Sequence, residues 1–141
     1  MIKLEWSPAF DIGVEEIDSA HRRLFAMVHE IRNALEKQDR GLCRTRVEAF
    51  IRAAEKHFTE EEELLARVGY AEAEEHKAYH AALLNKAKRL KDVCNEEMKE
   101  GEAEDCYSEV MAFLFDDVVG GDKQFKSYLD HIGLTKPRLW A

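Results

Sequence analysis

The sequence contains few cysteines and does not group them. Cys43, Cys94 and Cys106 are odd in number, far apart and without a CxxC spacing. A disulfide framework needs an even set of cysteines in a short chain, and a zinc–thiolate site needs closely spaced pairs. Neither kind of site is indicated, and we interpret the three thiols as buried or incidental.

The chain also lacks a surplus of positive charge and any long apolar run. Its 21 Lys and Arg face 29 Asp and Glu, so its formal net charge is −8. Such a chain has no excess of cations for nucleic-acid phosphates, and we expect no nucleic-acid partner. The first residues do not resemble a signal peptide, and no segment approaches the roughly 20 apolar residues of a membrane span. We therefore expect a cytoplasmic protein without a membrane partner.

Apolar residues are abundant enough for one core. They make up 45% of the 141 residues, which predicts a single domain over residues 1–141. Residues 1–16 show no helical period and predict an ordered N-terminal arm. Residues 131–141 contain Pro137 and predict an irregular C-terminal tail.

Between these ends, residues 17–130 show the periodicity of helices. Apolar residues recur at spacings of three and four in segments covering about 17–39, 41–67, 71–99 and 102–130. Asp18 or Ser19 can cap the first segment, and short turns marked by glycine join the segments. The pattern predicts an all-α fold, an antiparallel up-down-up-down four-helix bundle.

Polar residues interrupt the apolar faces of these helices at regular spacings. His57 and Glu61 are four residues apart, and so are His76 and His80. Side chains four residues apart project from one face of a helix, so each pair can address one point in space. A buried glutamate is costly unless a cation or another partner compensates it. Two such pairs on neighbouring helices therefore indicate a metal site.

All four predicted helices contribute candidate ligands. The complete set is His21, His57, Glu61, His76, His80, Asp117 and Asp122. Zinc usually takes four ligands, so four imidazoles and three carboxylates better suit two iron or manganese ions bridged by carboxylates. A single histidine on an apolar face is more often a core residue, but two spaced pairs with a buried glutamate favour ligands.

The remaining histidines and acidic residues have simpler interpretations. We expect His29, at the edge of the first apolar face, and His131, in the tail, to be structural or exposed. The run Glu60, Glu62 and Glu63 is typical of a solvated helix surface, with Glu60 and Asp116 as spare candidates for ligands.

These residues together resemble the hemerythrin family. Trp6, Gly13-Val14, Ile17-Asp18 and His21 look like the start of a hemerythrin, and HFTEEE and EEHKAYH look like its HxxxE and HxxxH motifs. The stretch VGYAEAEEH is similar to the linking segment of bacterial hemerythrins, with Ala71 where the family often has proline. The resemblance covers roughly residues 4–130. It implies a four-helix bundle that encloses an oxygen-binding pair of non-haem irons.

The resemblance also implies roles for individual residues. His21 and His57 would bind one iron, His76 and His80 the other, and Glu61 and Asp122 would bridge them together with an oxo or hydroxo group. The iron held by only two histidines would keep an open position for dioxygen. Leu114 and Val118 match the apolar residues that line the family's oxygen pocket.

One position departs from the family pattern. The family's last motif is HxxxxD, whereas this chain reads Asp117-Val118-Val119-Gly120-Gly121-Asp122, so aspartate replaces the fifth histidine. If Asp117 binds, its iron has His76, His80 and Asp117, a set of two histidines and one carboxylate like that of oxygen-activating iron enzymes. The additional anion favours ferric over ferrous iron, so reversible oxygen carriage should suffer.

Geometry leaves open whether Asp117 binds. Residues five apart lie about 140° apart on a regular helix, so Asp117 and Asp122 converge only if the helix is distorted. Gly120 and Gly121 are placed to permit such a distortion. Otherwise Asp117 does not bind, and the second iron has an open or water-filled position.

Three functions are compatible with the sequence. The first is a di-iron protein that binds dioxygen for storage, delivery or sensing. The second is a di-iron enzyme of the peroxidase or oxidase type that reacts with oxygen or peroxide. The third is a metal-binding or interaction module without oxygen chemistry. We expect a monomer in each case.

Overall fold

The fold consists of helices joined by short connections. The structure is a computed structural model and describes residues 1, 3, 5–93, 99 and 101–135, without the side chains of residues 93, 118 and 119. A 3-10 turn at Pro8–Phe10 precedes α1 (Glu15–Glu36), α2 (Arg40–Arg67), α3 (Ala73–Lys88) and the short α4 (Leu90–Val93). They are followed by α5 (Glu102–Phe115), a π-helical segment (Asp116–Gly121) and α6 (Lys123–His131). The described part of the chain contains no strand, so the all-α prediction is confirmed.

The start of α1 differs from the prediction. The helix begins at Glu15, and its N-terminal cap residue Val14 makes no capping hydrogen bond through its side chain. Asp18 lies within the helix, where its buried carboxylate accepts hydrogen bonds from the backbone N–H groups of Ile12 (2.7 Å) and Gly13 (3.0 Å). Asp18 therefore does not cap α1, but fixes the preceding chain to its first turns.

The connection between α1 and α2 also lies earlier in the chain than predicted. Residue 39 does not end the first helix, because α1 ends at Glu36. The side chain of Asp39 instead accepts a hydrogen bond from the backbone N–H of Leu42 at 3.0 Å. It thus caps α2 by satisfying one of the free N–H groups at the helix start.

Aromatic contacts attach the N-terminal residues to the helices. The ring of Trp6 packs edge-to-face on Phe10 and Phe25, with centroid distances of 5.2 and 5.6 Å. Phe10 packs in the same manner on Phe115 at 5.6 Å. Because Phe25 belongs to α1 and Phe115 to α5, these contacts hold residues 6–10 across two helices.

Other parts of the prediction lie partly outside the described residues. The third predicted helix corresponds to α3 and α4, while residues 94–98, including Cys94, are outside. Cys43 and Cys106 are buried. Residues 136–141 of the predicted tail are outside as well, so the tail and the single domain stay predictions. None of the helices described is both long and apolar enough to cross a membrane.

The core has two apolar parts with a polar layer between them. The large cluster includes Leu24, Val28, Phe50, Phe58, Leu83, Phe113 and Leu114. The small cluster consists of Ile12, Val14, Ile17, Leu65, Phe125 and Leu129. Along α1 the chain passes from the small cluster through His21 to the large one, and along α2 it passes in the reverse order through Glu61. An antiparallel bundle requires such a reversal, although the antiparallel order itself stays a prediction.

The distortion predicted between Asp117 and Asp122 is present as the π-helical segment. The backbone N–H of Asp122 donates to the carbonyl of Asp117 at 2.9 Å, a hydrogen bond that spans five residues instead of the usual four. The wider turn brings residues five apart towards the same side of the helix. Both carboxylates can therefore face the interior.

A close approach explains Gly121 in this segment. A Cβ atom at Gly121 would lie 2.6 Å from Cε2 of Tyr79, whereas one at Gly120 would have no neighbour nearer than 3.9 Å. Tyr79 belongs to α3, and its hydroxyl donates a hydrogen bond to the carbonyl of Asp116 at 2.7 Å. The absence of a side chain at Gly121 thus lets the tyrosine ring pack on the π-helical segment.

We expect Gly121→Ala to lower the free energy of unfolding by about 1–3 kcal/mol, because the added methyl group overlaps the Tyr79 ring. Gly120→Ala is the matched control and should be neutral or stabilising by less than about 1 kcal/mol. Urea denaturation followed by circular dichroism measures both variants. A Tyr79→Ala substitution should remove most of the Gly121→Ala penalty. Equal effects at the two glycines would contradict this explanation.

Candidate metal centre

All seven predicted ligand residues meet in the polar layer. Each of them is at most 4% exposed. His21 comes from α1, His57 and Glu61 from α2, His76 and His80 from α3, Asp117 from the π-helical segment and Asp122 from the residue after it. The structure therefore gathers the residues that the sequence selected, although their role as ligands stays a prediction.

The cluster divides into two groups that share two carboxylates. The first group is His21, His57, Glu61 and Asp122, and the second is Glu61, His76, His80 and Asp122. Within each group, the candidate ligand atoms all lie within 4.8 Å of one another. Metal ions in two-metal sites are about 3.5–4 Å apart, so two groups with shared carboxylates fit a bridged pair.

The two shared carboxylates each face both histidine pairs. Oε2 of Glu61 lies 3.1 Å from Nε2 of His57, while its Oε1 lies 2.8 and 3.1 Å from Nε2 of His76 and His80. Oδ2 of Asp122 lies 2.6 Å from Nε2 of His21, and its Oδ1 lies 3.4 Å from Nε2 of His76. Each carboxylate thus directs one oxygen towards each pair.

Unsatisfied polar atoms indicate that a metal fits this cluster. Among the described residues, Oε2 of Glu61, Nε2 of His80 and both carboxylate oxygens of Asp122 are buried without a hydrogen-bond partner. These atoms lie close to polar atoms of neighbouring residues, but the angles between them do not fit hydrogen bonds. Ligands bound at right angles to one metal, with bonds of about 2.1 Å, lie about 3 Å apart. Nε2 of His21 and Nε2 of His57 form a hydrogen bond at 3.0 Å, and this separation also matches that distance.

Burial and mutual charge shift the pKa values of the residues in the cluster. Burial and repulsion from Asp122 raise the pKa of Glu61 well above its usual value. Burial opposes the charged form of His76, yet the carboxylates of Asp122 and Glu61 raise its pKa to about 9. In contrast, burial and the neighbouring His76 lower the pKa of His80 to about 3. Because metal ligands must be deprotonated, a cation that enters the cluster displaces any protons that these residues carry.

Asp117 lies between the two histidine pairs. Its Oδ2 is 3.5 Å from Nε2 of both His21 and His57, and its Oδ1 is 3.7 Å from Nε2 of His80. It belongs to neither of the two tight groups. The sequence hypothesis joins Asp117 to His76 and His80 alone, whereas the carboxylate also faces the other pair.

Several residues around the site were not predicted from the sequence. The Phe58 ring stacks on His80, with centroids 4.0 Å apart and an angle of 8° between the planes. Oε2 of Glu62 lies 3.7 Å from Nδ1 of His80, with the Glu62 side chain 21% exposed. Glu62 is therefore not a plain solvated residue. Its position directly after Glu61 is the only sequence signal for this contact, and it does not distinguish Glu62 from Glu60 or Glu63.

The other site predictions have mixed outcomes. Leu114 is buried in the large cluster, and its role in lining an oxygen pocket stays a prediction. The side chain of Val118 lies outside the described part of the structure. His29 is half-buried and packs edge-to-face with Phe25 at 4.8 Å. His131 is exposed at the end of α6. Both histidines thus lie outside the cluster, as predicted.

A surface cleft reaches the cluster beside α2. Its volume is about 380 Å³, and its walls include the ligand candidates His57 and Glu61. The other lining residues are Val14, Glu16, Ile17, Glu60, Glu63, Leu64, Arg67 and Leu134. Three carboxylates and one guanidinium thus accompany an apolar wall. The cleft gives a small molecule a path to one edge of the buried cluster.

Known proteins are similar in sequence to this chain over most of its length. Residues 12–131 match the family model described as the Hemerythrin HHE cation binding domain. Myohemerythrin from Theromyzon tessulatum is 27% identical over 93 residues, which cover 66% of this chain and 72% of the relative. Bacteriohemerythrin from Stenotrophomonas maltophilia is 24% identical over 127 residues, covering 89% and 80%.

A third relative is similar over most of both chains. The hemerythrin-like protein of Naegleria gruberi is 27% identical over 124 residues, which cover 88% of this chain and 92% of the relative. The family match spans all seven buried residues of the cluster. The chain therefore belongs to the hemerythrin family.

Proposed function

We propose that this protein is a non-haem di-iron protein that binds dioxygen for storage, delivery or sensing. The observation that carries the proposal is the pair of buried ligand groups that share Glu61 and Asp122. Membership of a cation-binding family supports a metal. The resemblance of the motifs to those of hemerythrins supports iron as that metal and dioxygen as its ligand.

The ligand assignment follows the two groups. His21 and His57 would hold one iron, and His76 and His80 would hold the other. Glu61 and Asp122 would bridge the two ions, together with an oxo or hydroxo group. When bound, the iron pair supplies the electrons that oxygen binding requires and recovers them on oxygen release.

The protein's own contribution is an enclosed and apolar surrounding. The large cluster borders the site through Phe58, whose ring covers one face of His80. Phe125 packs against His76, with ring centroids 5.1 Å apart. These side chains keep bulk water from the imidazoles, which matters because water and protons promote loss of bound oxygen as superoxide. They also hold the two rings in fixed orientations.

We propose that the cleft beside α2 admits the small oxidant. Its wall next to the ligands is apolar at Val14, Ile17 and Leu64, and its lining also carries more acidic than basic side chains. Neutral molecules such as dioxygen and hydrogen peroxide can pass this lining, whereas anions are repelled by it. The cleft therefore favours the partners that the proposed function needs.

A second candidate function is a di-iron peroxidase or oxidase. Asp117 favours it, because a third buried carboxylate lies within 3.7 Å of histidines from both pairs. An additional anion lowers the charge of the iron pair and stabilises its ferric form. Such a site is suited to turnover with a reductant instead of reversible binding.

The function is tested with the optical spectrum of the iron-loaded protein. After anaerobic reduction, admission of air should produce a visible absorption band that disappears when oxygen is removed. An immediate and permanent ferric spectrum, with sustained consumption of peroxide in the presence of a reductant, would support the enzyme instead. A protein that stays colourless after iron loading would contradict both candidates.

Glu61→Ala should lower the iron content from about two ions per chain to one or fewer, because it removes a carboxylate shared by both groups. Metal analysis after anaerobic loading and desalting measures this content. Glu63→Ala is the control, since its exposed carboxylate lies on the same helix outside both groups. Unchanged iron in the Glu61 variant would exclude Glu61 from the site.

Leu64→Trp should slow the reaction of the reduced protein with oxygen several-fold, because the larger side chain fills the cleft, while the final extent of reaction stays the same. Stopped-flow absorbance measures the rate. Ala66→Trp is the control, since Ala66 is exposed on the same helix and does not line the cleft. Equal rates in the two variants would show that oxygen enters elsewhere.

A further inference from the structure

Asp117 is the position at which this chain departs from the family motif, and its surroundings define a role beyond a replaced ligand. The inference rests on the proposed di-iron function. In the family pattern, the residue at this position would serve the metal of the His76 and His80 pair alone. The distances around the Asp117 carboxylate differ from that expectation.

Each of the three buried carboxylates directs one oxygen to one histidine pair and its other oxygen to the second pair. Glu61 and Asp122 each turn one oxygen to the His21 and His57 pair and the other to the second pair. Asp117 does the same, with Oδ2 facing His21 and His57 at 3.5 Å and Oδ1 facing His80 at 3.7 Å. The imidazole nitrogens nearest to Asp117 thus belong to His21 and His57. A terminal ligand in the family pattern would instead bind the iron of His76 and His80.

The imidazoles of His21, His57 and His80 lie within 3.7 Å of these oxygens. Both carboxylate oxygens of Asp117 are buried without a hydrogen-bond partner among the described residues. The residue as a whole has no exposed surface. Leaving such an anion unpaired in the interior is costly. Each oxygen is therefore free to meet a different cation.

The π-helical segment makes this position accessible. The hydrogen bond from Asp122 to the carbonyl of Asp117 spans five residues and turns both side chains inward. Tyr79 holds the segment from α3 through the Asp116 carbonyl. The backbone thus presents two aspartates to the cluster, where a regular helix would present one.

We propose that Asp117 is a third bridging carboxylate between the two irons. Each iron would then face two imidazole nitrogens and three carboxylate oxygens, so the two ions would have equivalent ligand sets. With the oxo or hydroxo group each set would reach six ligands, and dioxygen could reach an iron only if one carboxylate oxygen moved away from it. A histidine at this position would add one nitrogen to a single ion and make the two irons unequal. The replacement therefore changes the symmetry of the centre as well as its charge.

The test is Mössbauer spectroscopy of the ⁵⁷Fe-loaded, anaerobically reduced protein. Equivalent irons should give one quadrupole doublet, and Asp117→Ala should change its isomer shift and quadrupole splitting, because each iron loses one oxygen ligand. A doublet identical to that of the parent protein would show that Asp117 does not bind and would overturn the bridge. Asp117→His should give two doublets of equal area, because its irons differ in their number of imidazole ligands. Asp116→His is the matched control, since Asp116 is the exposed neighbour in the same segment, and it should retain one doublet.

Iron content, measured on the same samples, separates this inference from the proposed function. Two irons per chain with two doublets in the parent protein would overturn the third bridge and leave the di-iron function intact. Failure of the parent to bind two irons would overturn the di-iron function and the bridge with it. If Asp117→His loses its helical circular dichroism, Asp117→Asn takes its place, because an amide has one ligand oxygen and also makes the irons unequal.

Discussion

The fold is arranged around three carboxylates buried between two apolar clusters. Two like charges about 4 Å apart repel by roughly 4 kcal/mol at the effective dielectric constant typical of proteins, and desolvation adds several kcal/mol for each ion. The carboxylates of Asp122 and Glu61 raise the pKa of His76 to about 9, so a protonated imidazole can offset part of this cost. Cations relieve it more completely. The layer that costs the most free energy to bury is therefore also the layer in which a bound cation would hold the helices together.

The π-helical segment is the local device that completes this layer. A regular helix would turn one of the two aspartates away from the interior, but the wider turn directs both inward. Such turns are uncommon in helices and frequent at functional sites. Here Gly121 leaves room for the Tyr79 ring, and the tyrosine hydroxyl satisfies a backbone carbonyl at the widened turn. A backbone irregularity is thus maintained by one missing side chain and one hydrogen bond from a neighbouring helix.

The sequence predicted the parts of the site that depend on periodicity. The spacing of His57 with Glu61 and of His76 with His80 places each pair on one face. The spacing of Asp117 and Asp122 indicated that the two converge only on a distorted helix, and left open whether they do. Contacts that depend on packing between distant segments were not predictable. No periodicity in the sequence indicates the hydrogen bonds that Asp18 accepts from Ile12 and Gly13, or the approach of Glu62 to His80. The cleft is similar, since α1, α2 and Leu134 form it together.

The position of Asp117 affects the balance between oxygen binding and redox turnover. Reversible binding requires that the ferrous state is recovered, and each additional anion next to the irons favours the ferric state. The apolar surroundings act in the opposite direction, because a region of low polarity disfavours the form with the larger net charge, which is the ferric one. A carboxylate shared by both ions spreads its effect over the pair instead of fixing one iron in the ferric state. A bridging Asp117 would therefore affect the redox balance of the two irons equally, but it would also complete six ligands at each iron, so dioxygen could bind only where one carboxylate oxygen moves away.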